Sequence, residues 1–89
     1  VAEVVGKTLR ELGQHYQVLA ITHLPQVAAF GNQHWQVSKQ DMGSETLSHL
    51  HELTELARTE EIARMLGGET ITPTTLQHAE EMLLQAATH

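Results

Sequence analysis

Hydrophobic residues recur in this 89-residue chain with two different periods, which predicts a mixture of helices and strands. Residues 1–12 carry apolar side chains at the spacing of an amphipathic helix, and Gly13 is placed to end it with a left-handed cap. Residues 18–21, in contrast, form a continuous, partly β-branched apolar run, which is typical of a strand covered on both faces. The pattern therefore predicts a first helix that leads directly into a buried central strand.

The middle of the chain predicts one helical turn and then a β-hairpin. Pro25 makes the chain turn after the strand, and residues 26–30 have room for about one helical turn before the next glycine. Residues 35–39 and 45–53 alternate between apolar and polar side chains, and residues 41–44 between them favour a turn. Both faces of the second strand are mixed in character, which predicts an edge strand half exposed to solvent.

Two more helices are predicted in the last third of the chain. Thr59, followed by two glutamates, is expected to cap a short helix that Gly67 and Gly68 end. Thr72 and Pro73 are expected to begin a last helix that reaches about residue 87. Its predicted buried stripe consists of Leu76, Ala79, Leu83 and Ala86. The fold class expected from these elements is α/β, with a small mixed sheet made of the buried strand and the hairpin, and helices on its faces.

Composition narrows the class of protein. A chain of 89 residues makes one small domain, and without cysteine neither disulfides nor a thiolate metal site can supplement its core. The formal net charge of −6 argues against a piece that holds a nucleic-acid backbone by itself. No apolar run approaches the ~20 residues that span a bilayer, and no signal-type segment opens the chain. We interpret the chain as soluble and intracellular.

Thr22 and His23 stand directly at the carboxyl end of the predicted central strand. In open α/β sheets ligands bind beyond the carboxyl ends of the strands, so an imidazole at this point is placed for chemistry. The position alone also leaves open a purely structural role for His23 at the end of the strand.

Three segments carry a resemblance to a known family: residues 22–28 (THLPQVA), 37–39 (VSK) and 61–68 (EIARMLGG). In this order and separation they resemble the carboxyl-terminal end of the RecN family of bacterial DNA repair proteins, and the resemblance covers essentially the whole chain. That family belongs to the structural-maintenance-of-chromosomes group, whose heads are ATP-binding-cassette ATPases of the P-loop NTPase class. The resemblance implies that residues 1–89 are the carboxyl-terminal part of such a head, and the start of the chain inside a helical pattern agrees with a fragment.

The resemblance also implies roles for individual residues. His23 would be the switch histidine that contacts the γ-phosphate of ATP and helps to orient the attacking water. Thr22 would fix the backbone at the strand end, Gln26 would support the loop, and a direct contact of either with the cofactor is the weaker expectation. ATP and magnesium would belong to the complete head, because this chain has no Gly-x-x-x-x-Gly-Lys-Ser/Thr loop. We therefore expect the isolated chain not to hydrolyse ATP, although the parent protein would.

The partners implied by the resemblance are the remainder of the same head, a second head in an ATP-dependent dimer, and DNA held by other parts of the parent. A membrane is not among them, and the location would be the bacterial cytoplasm at the nucleoid. The parallel neighbours of the strand at 18–21 would come from sequence before Val1. Without those neighbours, we expect unpaired backbone and apolar surface at this strand, and association through its edge.

Three other functions compete with this interpretation. His49 and His51 lie on one face of a predicted strand, with His34 across the hairpin, as in a metal site, but a structural zinc normally takes four ligands and cysteine is absent. A free-standing protein-interaction module without a catalytic role is the main alternative. A nucleic-acid-binding module is disfavoured by the negative charge and by only three aromatic residues for base stacking.

Overall fold

A computed structural model describes residues 1–68 and 70–88, and within them the chain forms four helices and one antiparallel hairpin. The elements are α1 (Ala2–Gly13), α2 (Pro25–Ala28), β1 (Trp35–Met42), β2 (Glu45–Glu52), α3 (Glu55–Gly67) and α4 (Pro73–Ala87). The predicted α/β class is thereby confirmed. The sheet, however, consists of the hairpin alone within the part of the chain that is described.

The predicted buried strand at 18–21 is wrong for this chain. Residues 17–22 form neither strand nor helix, and the side chains of Leu19 and Ile21 are 88% and 98% exposed. A β-strand forms only where its backbone groups exchange hydrogen bonds with a neighbouring strand. In the described structure β1 and β2 pair only with each other. The apolar run therefore has the composition of a central strand without the neighbours that would make it one.

One helix cap and one helix boundary differ from the prediction. Gly13 is the last residue of α1 and does not have a positive φ, so it does not act as a left-handed cap. Helix α3 begins at Glu55 rather than near Thr59, because the hydroxyl of Thr54 accepts a hydrogen bond from the backbone N–H of Ala57 at 3.3 Å. Thr59 consequently lies inside the helix, where its hydroxyl donates to the carbonyl of Glu55.

The last helix agrees with the prediction. Thr72 caps α4 in a reciprocal capping box with Thr75, and Pro73 occupies the first turn. Ala79 and Ala86 are buried on the predicted stripe. Gly68 ends the preceding helix with a φ of 77°, a value that glycine adopts without steric cost.

The core lies between α2, α3 and α4. Ile62, Ala63 and Ala79 form one buried cluster, and Phe30 with its neighbours forms a second. Met82 and Leu83 contact both clusters, so α4 joins them into one apolar layer. Helix α1 packs against α2 on the outside of this layer.

Gly6 lets α1 approach the end of α2 closely. A Cβ atom built at Gly6 would overlap Cδ2 of Phe30 and would lie 3.1 Å from the carbonyl oxygen of Gln26. Both Gly6 and Phe30 are buried. The contact between α1 and the Phe30 ring therefore requires a residue without a side chain at position 6.

The hairpin projects from the helical layer. Gly43, with a φ of 81°, and Ser44 form its two-residue loop, as expected where a glycine occupies the first turn position. All residues of both strands except Gln36 are exposed. Gln36 is held by a 3.0 Å hydrogen bond from its Nε2 to Oε2 of Glu61, which ties the base of the hairpin to α3.

The chain exposes more surface than a closed monomer of its mass. Its accessible surface is 6794 Å², whereas a folded monomer of 9.9 kDa exposes about 5,200 Å². Its radius of gyration is 14.1 Å, against about 12 Å for a compact domain of this length. Large apolar side chains contribute to the surplus in the segment 16–24 and on the hairpin: Tyr16, Leu19, Ile21, Leu24, Trp35, Val37, Met42, Leu47 and Leu50.

Candidate functional site

His23 is exposed at the turn between the unpaired apolar segment and α2. The hydroxyl of Thr22 accepts a hydrogen bond from the backbone N–H of Leu24 at 3.0 Å, which closes the chain around His23. An imidazole in this position can donate one hydrogen bond and accept another.

Gln26 faces another part of the molecule. It lines a groove of about 210 Å³ between α1, α2 and α4, together with Glu3, His78 and Glu81. Two carboxylates in that groove make it a poor environment for a phosphate. In this structure Gln26 therefore belongs to the helical packing, and its expected support of the His23 loop has no observed contact behind it.

Arg10 and Arg58 converge on the end of α2, which sequence reasoning did not anticipate. Nη2 of Arg58 lies 3.1, 3.2 and 2.6 Å from the carbonyl oxygens of Ala28, Ala29 and Gly31. Nη1 of Arg10 donates to the carbonyl of Phe30 at 2.9 Å. We call this arrangement of two guanidinium groups and the carbonyls of residues 28–31 the carbonyl clamp.

Burial and charge shift the pKa of the groups around the carbonyl clamp. Desolvation lowers the pKa of Arg58, and the neighbouring Arg10 guanidinium lowers it further. Burial lowers the pKa of His34 below its ordinary 6.5, the charge of Arg58 acts in the same direction, and Glu61 opposes both. Nδ1 of His34 and Nε of Arg58 are buried without a hydrogen-bond partner among the described residues.

A wider groove of about 470 Å³ lies between the base of the hairpin and α3. Gln36, His51 and Glu60 line it, and Glu61 enters it paired with Arg64. The carboxylate of Glu61 accepts hydrogen bonds from both Gln36 and Arg64, so its charge is already satisfied within the chain.

The histidines of the competing metal-site interpretation are not brought together as a set of three. Nε2 of His49 lies 3.3 Å from Oε1 of Gln40, and His34 lies beside Arg58 instead. Within residues 1–68 and 70–88, no group of three or more His, Asp, Glu or Cys side chains is arranged to hold a metal ion. Over the same residues, no helix is both long and apolar enough to cross a membrane.

The tripeptide Gly6-Lys7-Thr8 has the residue types that end a phosphate-binding loop, but its setting differs. It lies in the middle of α1, with Gly6 against Phe30 and the hydroxyl of Thr8 donating to the carbonyl of Val4. A phosphate-binding loop needs free backbone N–H groups before a helix begins. These three residues therefore do not form one.

Comparison with known proteins gives one consistent result. The chain is 47% identical over 85 residues to the DNA repair protein RecN of Vibrio cholerae, which covers 96% of this chain and 15% of that protein. It is 54% identical over 68 residues to RecN of Xylella fastidiosa, covering 76% of this chain and 12% of that protein. It is 45% identical over 82 residues to RecN of Deinococcus radiodurans, covering 92% of this chain and 14% of that protein.

No family model matches the chain. The chain spans about 15% of the length of the curated relatives it matches, and the segments 22–28, 37–39 and 61–68 that carried the resemblance lie within a sequence related over almost its whole length. Identities of 38% to 54% recur in relatives from several bacteria. This chain belongs to the RecN family.

Proposed function

We propose that this chain supplies the switch histidine, His23, to the ATP site of a DNA repair ATPase head of the P-loop NTPase class. The observation that carries the proposal is the position of His23: exposed, on a turn closed by Thr22, at the carboxyl end of an apolar run in a RecN-family sequence. The parent protein would act in ATP-dependent repair of DNA double-strand breaks by recombination.

The unpaired backbone of residues 17–22 supports the proposal that this segment packs against the rest of a larger head. None of the backbone groups of residues 17–22 bonds to another backbone group in the described structure, although the side chains are those of a central strand. Strands that come from the rest of the head would satisfy these groups. The proposal thus accounts for the segment that the chain alone leaves exposed.

The size of the surplus surface agrees with a permanent partner. The difference from a closed monomer is about 1,600 Å² on this chain alone. Because a partner loses a similar area, the corresponding interface falls in the range of obligate complexes, about 2,000 to 5,000 Å². Burial of Leu19 and Ile21 in such an interface would restore the environment that their sequence pattern predicts.

The chemistry asked of His23 is hydrogen bonding to charge that develops during phosphoryl transfer. An imidazole that donates to a γ-phosphate oxygen and accepts from the attacking water contributes most in the transition state. ATP and Mg²⁺ would be held by other parts of the head, since the chain has no phosphate-binding loop. Among the residues of this chain, His23 alone would take part in the reaction directly, and Thr22 would hold the backbone next to it.

A chimera tests the proposal. In full-length Vibrio cholerae RecN, this chain would replace the 85 residues that it matches, and ATP turnover and ATP affinity would be measured with His23 or Ala at position 23. We expect His23→Ala to reduce turnover by about 10²-fold or more, with a much smaller change in affinity. His15→Ala, a change at an exposed histidine in the same chain, is the matched control and should leave both unchanged.

Equal turnover by the His23→Ala chimera and its parent would contradict the switch role. It would favour the alternative, a protein-interaction module in which the exposed apolar surface binds a partner and His23 is incidental. Both the ATPase proposal and the interaction-module alternative account for the surplus of exposed surface. The measurement of ATP turnover therefore distinguishes them, whereas the fold does not.

A further inference from the structure

The carbonyl clamp gathers the backbone carbonyls of four consecutive residues at the end of a one-turn helix. A helix leaves its last carbonyls without intrahelical partners, and in α2 these are a large share of all its hydrogen-bonding groups. Arg58 reaches three of them from α3, and Arg10 reaches the fourth from α1. Two elements distant in sequence thereby fix the end of α2.

The clamp holds two cations close together in a partly buried place. Burial is the main cause that lowers the pKa of Arg58, and the positive charge of Arg10 lowers it further. Carbonyl oxygens at a helix carboxyl end carry partial negative charge, which offsets the cost of this burial and repulsion. An arrangement that costs desolvation and repulsion to fix one short helix indicates that the position of this helix matters.

A chain of hydrogen bonds links α2 to the turn that carries His23. The carbonyl of Leu24 accepts from the backbone N–H groups of Val27 and Ala28 at 3.1 and 3.0 Å. The N–H of the same Leu24 donates to the hydroxyl of Thr22. His23 therefore lies between two residues whose backbone is tied to α2, and a displacement of α2 would displace its imidazole.

From this geometry we propose that Arg58, assisted by Arg10, is a positioning residue for His23. The inference rests on the proposed function of His23 in ATP hydrolysis and adds the groups that hold this side chain in register. Arg58 does not touch the reacting atoms in this account; it acts through α2 and the turn at residues 22–24.

Amide hydrogen exchange on the 89-residue chain tests the clamp without any activity. Arg58→Ala should speed exchange at the amides of residues 27–31 by about tenfold or more, because a donor to three carbonyls is lost. Arg64→Ala is the matched control: Arg64 lies on the same helix, pairs with Glu61, and should leave these amides unchanged. Unchanged exchange in Arg58→Ala would overturn the clamp.

Two gentler variants keep the test decisive if Arg58→Ala does not fold. Arg10→Ala removes one hydrogen bond and should speed exchange at the same amides by a smaller factor. Arg58→Lys keeps a single charged nitrogen donor, and because one nitrogen of Arg58 makes all three contacts, most of the protection should return. Protection that is the same in Arg10→Ala and in the unchanged chain would count against the clamp.

Turnover of the Vibrio cholerae chimera separates a positioning role from a general structural one. Arg58→Ala should lower turnover about tenfold with little change in ATP affinity, and should add almost nothing in a His23→Ala background. An equal loss in both backgrounds would mean that Arg58 does not act through His23. If His23→Ala itself leaves turnover unchanged, the proposed function fails, whereas the exchange measurement still decides whether the clamp exists.

Discussion

The ring of Phe30 occupies the space that a side chain on Gly6 would fill. The same stretch of α1 places Arg10 where its Nη1 donates to the carbonyl of Phe30. A methyl group added at Gly6 should therefore disturb the packing of α1 and the hydrogen bond from Arg10 to the carbonyl of Phe30.

Gly6→Ala should destabilise the chain by about 1 to 3 kcal/mol, because the buried Phe30 ring has to move to admit the new Cβ. Gly13→Ala is the matched control. It lies in the same helix, and no atom lies within 4 Å of the place that an added Cβ would take, so the better helix propensity of alanine should add up to about 1 kcal/mol. Denaturant unfolding of the two variants measures both; equal effects would contradict the close contact.

Leu19→Ala should change the free energy of unfolding of this chain by less than about 0.5 kcal/mol, since the side chain is 88% exposed. The expectation from sequence of a buried site would have put the loss at ~2–5 kcal/mol. Ile62→Ala, at a side chain that is 0% exposed, should show that larger loss. Thermal or denaturant unfolding compares the two, and a large loss for Leu19→Ala would mean that the segment is buried in solution.

The stability of the chain should depend on the ionisation of His34. Its folded pKa lies below the ordinary 6.5, so around and below pH 6.5 the unfolded chain binds more protons than the folded one. The stability that the neutral form of His34 contributes is fully present above pH 6.5, falls as the pH drops below 6.5, and is lost once the pH falls through the lower pKa of the folded chain. Between pH 7.5 and 5.5, His34→Gln should therefore lose less stability than the unchanged chain. Identical profiles of unfolding free energy against pH for the two would contradict the shift.

The isolated chain should bind ATP weakly or not at all. One exposed histidine offers too few contacts to offset the entropy of association, and Gly6-Lys7-Thr8 lies inside α1. Titration calorimetry with Mg-ATP checks this expectation. Micromolar, magnesium-dependent binding to the 89-residue chain would contradict it.

Local signals sufficed for the elements that carry their own caps and turns. The hydroxyl of Thr72 before Pro73, the glycine in the hairpin loop and the alternation of β2 each act within a few residues, and the structure has these elements where the sequence predicts them. Helix α3 was misplaced at its start because Thr54 and Thr59 are both suitable caps, and the sequence pattern did not distinguish them.

Features that depend on distant partners were not predictable in the same way. The run at residues 18–21 has the composition of a central strand, yet no strand pairs with it in the described structure. In the carbonyl clamp, Arg58 contacts carbonyls that lie 27 to 30 positions before it in the sequence. An arginine on a helix gives no local sign of such a contact. The sequence singles out His23 through the family motif that surrounds it, and its role stays a prediction.

The most direct test of the central claim is the imidazole resonance of His23 in the full-length Vibrio cholerae chimera, selectively labelled at histidine and assigned with His23→Ala. A hydrogen bond to the γ-phosphate predicts a change of the His23 signal with a non-hydrolysable ATP analogue and Mg²⁺, and no such change with ADP and Mg²⁺. A His23 signal that is the same with both nucleotides would contradict the assignment of this residue as the switch histidine.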